Sequence, residues 1–83
     1  MCEIRNITKL NNNILLSCSA YDGDFMNSKL LKIVDKNKNT FETKNFLLDK
    51  TRPCFNASVT PWIMLREDIP DSFLDRGNEI VFH

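Results

Sequence analysis

Two glycines, three prolines and one histidine are all that this 83-residue chain holds of residue types on which turns and active sites depend. The histidine, His83, is the last residue. A general base must be held within hydrogen-bond reach of its target, and a terminal side chain is poorly fixed. Histidine-based acid–base catalysis is therefore not expected. The cysteines, Cys2, Cys18 and Cys54, are odd in number and lack Cys-x-x-Cys spacing. That leaves at least one thiol without an intramolecular partner and gives no zinc-ligand pattern. No apolar run approaches the roughly 18 residues of a membrane-spanning helix. Net charge is also missing: eleven basic side chains balance eleven acidic ones, whereas a dedicated nucleic-acid module carries a basic excess.

What is present is a globular composition with uneven charge. Hydrophobic residues make up 42% of the chain, enough for one modest core in a single domain over residues 1–83. Lys29 to Arg52 holds seven basic and three acidic residues; Arg66 to His83 holds two basic and five acidic. Such a dipolar surface steers partners of either sign without making a polyanion binder. Met1 to Leu10 includes Glu3, Arg5 and Lys9 and no apolar core of a signal peptide. Together with the odd set of thiols, this predicts a reducing, cytoplasmic location.

Helical periodicity is nearly absent. Ile4, Ile7 and Leu10 fit either one helical turn or an irregular first strand. Ile14 to Tyr21 alternates as a strand, with Ile14, Leu16, Cys18 and Ala20 on one face. Leu30 to Val34 is the next strand, ended by the polar tip Asp35-Lys36-Asn37-Lys38-Asn39. Thr40 to Leu48 starts with clean alternation and then slips phase at Phe46-Leu47-Leu48, as a β-bulge would. Asp49 to Asn56 reads as a loop, since Pro53 cannot donate to a sheet. Ala57 to Leu65 is a strand whose Trp62-Ile63-Met64-Leu65 run predicts burial on both faces. Pro70 after Asp68 suggests one short helical turn, and Gly77 opens the last strand, Glu79 to Phe82. Short strands at this spacing predict an all-β fold, a small six- to seven-stranded β-barrel with at most one helical turn.

The run Ile14-Leu15-Leu16-Ser17-Cys18-Ser19-Ala20-Tyr21-Asp22-Gly23, then Lys29-Leu30-Leu31-Lys32-Ile33-Val34, resembles the opening of the domain-2 β-barrel of translation elongation factors. Trp62-Ile63-Met64-Leu65-Arg66, followed by Phe73-Leu74-Asp75-Arg76-Gly77-Asn78-Glu79-Ile80, is similar to its close. The resemblance spans residues 12 to 82 and implies a barrel of that shape. Asn27-Ser28 stands where the family has a Gly-Asp turn. No Gly-x-x-x-x-Gly-Lys-[Ser/Thr] phosphate loop occurs in the chain, so the family's GTPase activity is not implied.

Candidate chemistry is sparse. Cys54, beside Arg52, is the thiol whose reactivity a neighbouring cation would raise, yet no base accompanies it. Asp22-Gly23-Asp24 is ordinary turn chemistry. Phe41, Phe46 and Cys18 are expected in the core. No cofactor, metal or small-molecule substrate is expected, and no enzymatic activity. The reading that remains is a binding module whose partner is another protein. Its concrete form is an inhibitor, such as an immunity protein that neutralises a basic nuclease toxin. Glu67, Asp68, Asp71, Asp75 and Glu79 would meet the basic partner by charge complementarity, with Tyr21, Phe55 and Trp62 as hydrophobic contacts. The alternative is an RNA- or ribosome-binding barrel that uses Lys36, Lys38, Lys44, Lys50 and Arg52 along a backbone of phosphates.

Overall fold

Alternation of apolar and polar residues sets nearly every strand, because successive side chains point to opposite faces. In a computed structural model that describes residues 2–21, 23–51 and 59–83, the chain forms seven antiparallel strands and one 3₁₀ turn. They are β1 Cys2–Leu10, β2 Asn13–Cys18, β3 Leu31–Val34, β4 Thr40–Thr43, β5 Phe46–Thr51, β6 Thr60–Leu65 and β7 Glu79–Phe82. The turn, Asp71–Phe73, lies between β6 and β7. It begins one residue after Pro70, so the expected helical turn is present.

The strands make one sheet in the order β4-β3-β7-β1-β2-β6-β5. The all-β class is as the sequence predicts, but this order has two ends, β4 and β5, rather than returning on itself as a closed barrel does. The sheet folds over on β1. Its first residues pair with β7, Cys2 opposite Ile80, while Asn6 to Leu10 pair with β2. A register shift between Ile4 and Asn6 marks the fold line, since an extra residue in one strand bends it. The bulge therefore lies in β1 and not near Phe46. There the phase slip is a corner, Lys44-Asn45, closed by the Asn45 amide donating to Thr43 Oγ1 at 3.0 Å. Asp49 to Thr51, read as loop, extend β5.

Inward-facing residues of both halves fill the core: Ile4, Leu16, Leu31, Ile33, Ile63 and Leu65 are fully buried. Phe41, Phe46 and Leu48 pack against it from the side. Asn78 is buried where the 3₁₀ turn meets β7. Its Nδ2 donates to the carbonyls of Phe73 at 2.9 Å and Ser72 at 3.3 Å, and its own carbonyl accepts from the Ile4 amide. Gly77, at φ 90, precedes it in a backbone conformation that favours glycine. A Cα radius of gyration of 12.0 Å is that of a compact domain of this length, about 12 Å.

A candidate interaction face

The two halves of the sheet differ sharply in what they show to the outside. On β3, β4 and β7 the outward row Val81, Lys32 and Glu42 is in register, and so is the row Glu79, Val34 and Thr40. Lys32 and Glu42 form an ion pair at 3.5 Å. Glu3 of β1 lies opposite Glu79. This is a solvated, charged face.

The outer face of β1, β2, β6 and β5 is different. Thr8, Leu15, Met64 and Leu47 form one row across the four strands, and Asn6, Ser17, Trp62 and Asp49 form the next. Leu10 and Asn13 flank the first row, and Thr60 and Thr51 the second. Within these two rows Asp49 is the one charged side chain; exposed Arg66, next outward after Met64, and exposed Arg5, the extra residue of the β1 bulge, flank them. Leu10 and Leu47 stand 44% and 55% exposed. An open groove of about 390 Å³ runs along β5 and β6, lined by Leu15, Leu47, Trp62, Met64, Asp49 and Thr51 with an edge of Leu48. Trp62 and Met64 are half-buried here while Ile63 and Leu65 face the core, so the expected burial of this run on both faces is corrected to one. The Trp62 Nε1 is buried and finds no hydrogen-bond acceptor among the described residues.

The acidic residues singled out by the sequence are spread along the β6–β7 connection and into β7, and three are already engaged. Lys9 Nζ lies 3.0 Å from Asp71 Oδ1, and Lys36 Nζ lies 3.3 Å from Asp75 Oδ2. Glu67 accepts a 3.4 Å hydrogen bond from Asn45 Nδ2. Asp68 is exposed, and Glu79 is half-buried beside Lys36 and Lys38. The basic set is placed on three elements: Lys36 and Lys38 on the β3–β4 turn, Lys44 at the corner, Lys50 on β5. Tyr21 is packed inward rather than displayed. Its ring meets Phe25 and Phe82 at centroid distances of 6.0 and 5.5 Å, and a Cβ at Gly23 would come within 2.7 Å of it. Phe55, Arg52 and Cys54 lie outside the described residues.

Two thiols meet inside the fold. Cys2 and Cys18 face the core at 1% and 3% exposure. Cys18 donates a hydrogen bond to Cys2, which with burial pushes the Cys18 thiol far above its ordinary range and draws the Cys2 thiol below it. Neither is exposed to a substrate. Among the described residues no cluster of three His, Cys, Asp or Glu side chains could hold a metal ion, and no helix is long and apolar enough to cross a membrane.

Leu15, Leu47 and Met64 escaped the sequence reading because the slip at Phe46-Leu47-Leu48 hides which leucine points outward. Only the register with β6 decides it. Comparison with protein-family models, with curated proteins and with solved structures finds no match to this chain.

Proposed function

We infer that the protein is a non-enzymatic binding module for another protein, acting in the cytoplasm as an inhibitor of the toxin-neutralising immunity kind. The observation that carries this reading is the outer face of β1, β2, β6 and β5, whose two central rows hold Asp49 as their one charged side chain, set beside a charged face on the other half of the same sheet. Loss of charge at the centre of a patch, with Trp and Met present, is the composition of a protein–protein interface core. Large apolar side chains left in a groove on a small domain are otherwise a cost in solubility. Asp68 and Glu67 at the end of β6 supply an acidic rim for a basic partner such as a nuclease toxin. Asp71 and Asp75 contribute less to it, being paired within the chain.

The test is affinity capture of the tagged protein from the organism that encodes it, with quantitative mass spectrometry. Leu47→Glu with Met64→Glu should keep the fold by circular dichroism and reduce one stoichiometric protein partner at least tenfold. Two buried carboxylates at an interface cost more than the roughly 1.4 kcal/mol that tenfold represents. Undiminished capture by this variant overturns the face as the interface, and recovery of no stoichiometric protein partner by the wild type overturns the module reading. Mixing the recovered partner with the protein then tests inhibition directly.

A further inference from the structure

The open strand order leaves two sheet edges, and they are not alike. β4 has four residues and turns Glu42 and Thr40 outward, the short and charged form that protects an edge from pairing. β5 has six residues, pairs with β6 without a register shift from Phe46 to Thr51, and contains neither proline nor bulge. Among the described residues no strand pairs with its other side. Leu47, more than half exposed, sits on this edge and opens onto the groove. An edge of this length, regularly paired on its other side and apolar at Leu47 beside Asp49 and Lys50, is a template for one more strand.

Resting on the protein-binding reading above, we propose that the groove takes an extended, cationic and apolar segment of the partner protein, added as a further strand along β5. Three features specify that segment. The groove is lined by Leu15, Leu47, Trp62 and Met64 and takes a large apolar side chain. The buried Trp62 Nε1 has a hydrogen to donate, and a backbone carbonyl or side-chain oxygen of the segment would accept it. Asp49 is the single carboxylate on the face. Its described contact is an accepted 2.8 Å hydrogen bond from the Lys50 amide at Oδ1, which leaves Oδ2 for a lysine or arginine of the segment.

The same charge argues against a second copy as the occupant. Antiparallel pairing of two β5 strands about a two-fold axis keeps like faces together. With the axis at Leu48, Asp49 or Lys50 it sets the two Asp49 carboxylates opposite or diagonal to each other, while the cation of the same strand, Lys50, turns to the other face. Like charges across strands destabilise the pairing.

The experiment is an amide NMR titration of the ¹⁵N-labelled full chain with capped eight-residue peptides. One peptide alternates threonine with lysine and leucine; its control has glutamate for each lysine. The lysine peptide should shift the amides of Leu47 to Thr51 and move the Trp62 indole proton downfield, at sub-millimolar affinity. The glutamate peptide should bind at least tenfold more weakly, and Asp49→Asn should weaken the lysine peptide about threefold to tenfold. Equal binding of the two peptides, shifts confined to other residues, or no shift at millimolar peptide overturns the proposal. So do shifts of the β5 amides with protein concentration alone, which would identify a second copy. If Leu47→Glu with Met64→Glu abolishes partner capture while the peptides fail, the strand proposal falls and the protein-binding reading stands. If the peptides discriminate and the wild type recovers no stoichiometric protein partner, the reading falls instead.

Discussion

At the residue scale the Cys2–Cys18 pair gives the fold a specific pH dependence. Both thiols in the unfolded chain titrate near the ordinary value of 9.0. Native Cys2 is drawn below that value by the hydrogen bond from Cys18, so on approach to pH 9 the unfolded chain holds more protons than the native one. Stability then rises with pH. Above pH 9 the unfolded thiols have both lost their protons while native Cys18, pushed up by that hydrogen bond and by burial, retains one. Stability then falls, by up to about 1.4 kcal/mol per pH unit. Urea unfolding between about pH 8 and 10 should show this maximum, and Cys18→Ala should flatten both limbs because it removes the hydrogen bond as well as the raised thiol. Parallel curves for the two proteins would refute the pairing. The same burial means that iodoacetamide should label Cys2 and Cys18 only in denaturant.

At the element scale the β3–β4 hairpin shows what was legible in the sequence and what was not. Asp35-Lys36-Asn37-Lys38-Asn39 announces a turn by composition alone. The structure adds how it closes: Asp35 Oδ1 accepts the amides of Asn37 and Asn39, each at 2.9 Å, and Asp35 Oδ2 accepts Asn39 Nδ2 at 3.2 Å. Lys38 sits at φ 68, where an L side chain costs roughly 1–2 kcal/mol over glycine. Lys38→Gly should therefore stabilise the protein by a few tenths to about 1 kcal/mol, after the entropy that glycine adds to the unfolded chain. Chemical denaturation checks the sign, and a destabilised variant would mean that Lys38 makes a contact worth more than its strain. Strands whose alternation is intact, such as β2, β3 and β7, were readable because one face is core. β1 is ambiguous in sequence because its bulge breaks the period, and the end of β5 resembles a loop because Asp49-Lys50-Thr51 is polar on both faces at an open edge. The candidate face was legible only in part. Trp62 was named, while Leu15, Leu47 and Met64 become a surface only when three strands are set in register.

At the scale of the whole molecule, β1 is the element that makes one domain of two half-sheets. Its first residues belong to the β7 side, where the Ile4 amide donates to the Asn78 carbonyl and the Gly77 amide donates to the Ile4 carbonyl, both at 2.9 Å. At the same place the Ser19 amide donates to the Glu3 carbonyl, and the Glu3 amide donates to Ser19 Oγ. β7 pairs with β1 and β3, and β2 with β1 and β6, so β1 is the strand through which the two halves are hydrogen bonded. Ile4 and Cys2 are also buried at the seam of the core. Removing residues 1 to 5 would open two large apolar surfaces and strip partners from backbone groups of Ser19, Gly77 and the buried Asn78. A buried group left without its partner, as at the Asn78 carbonyl, costs about 1–3 kcal/mol, and the lost core area adds to it, against a total of roughly 5–15 kcal/mol for a domain. The truncated chain should lose cooperative unfolding and near-ultraviolet circular dichroism, whereas Ile4→Val, which keeps the backbone and most of the volume, should cost about 0.5–1.5 kcal/mol and remain two-state. A truncated chain that still unfolds cooperatively would show that the halves are held by core packing and the β4–β5 corner, with β1 as a dispensable seam.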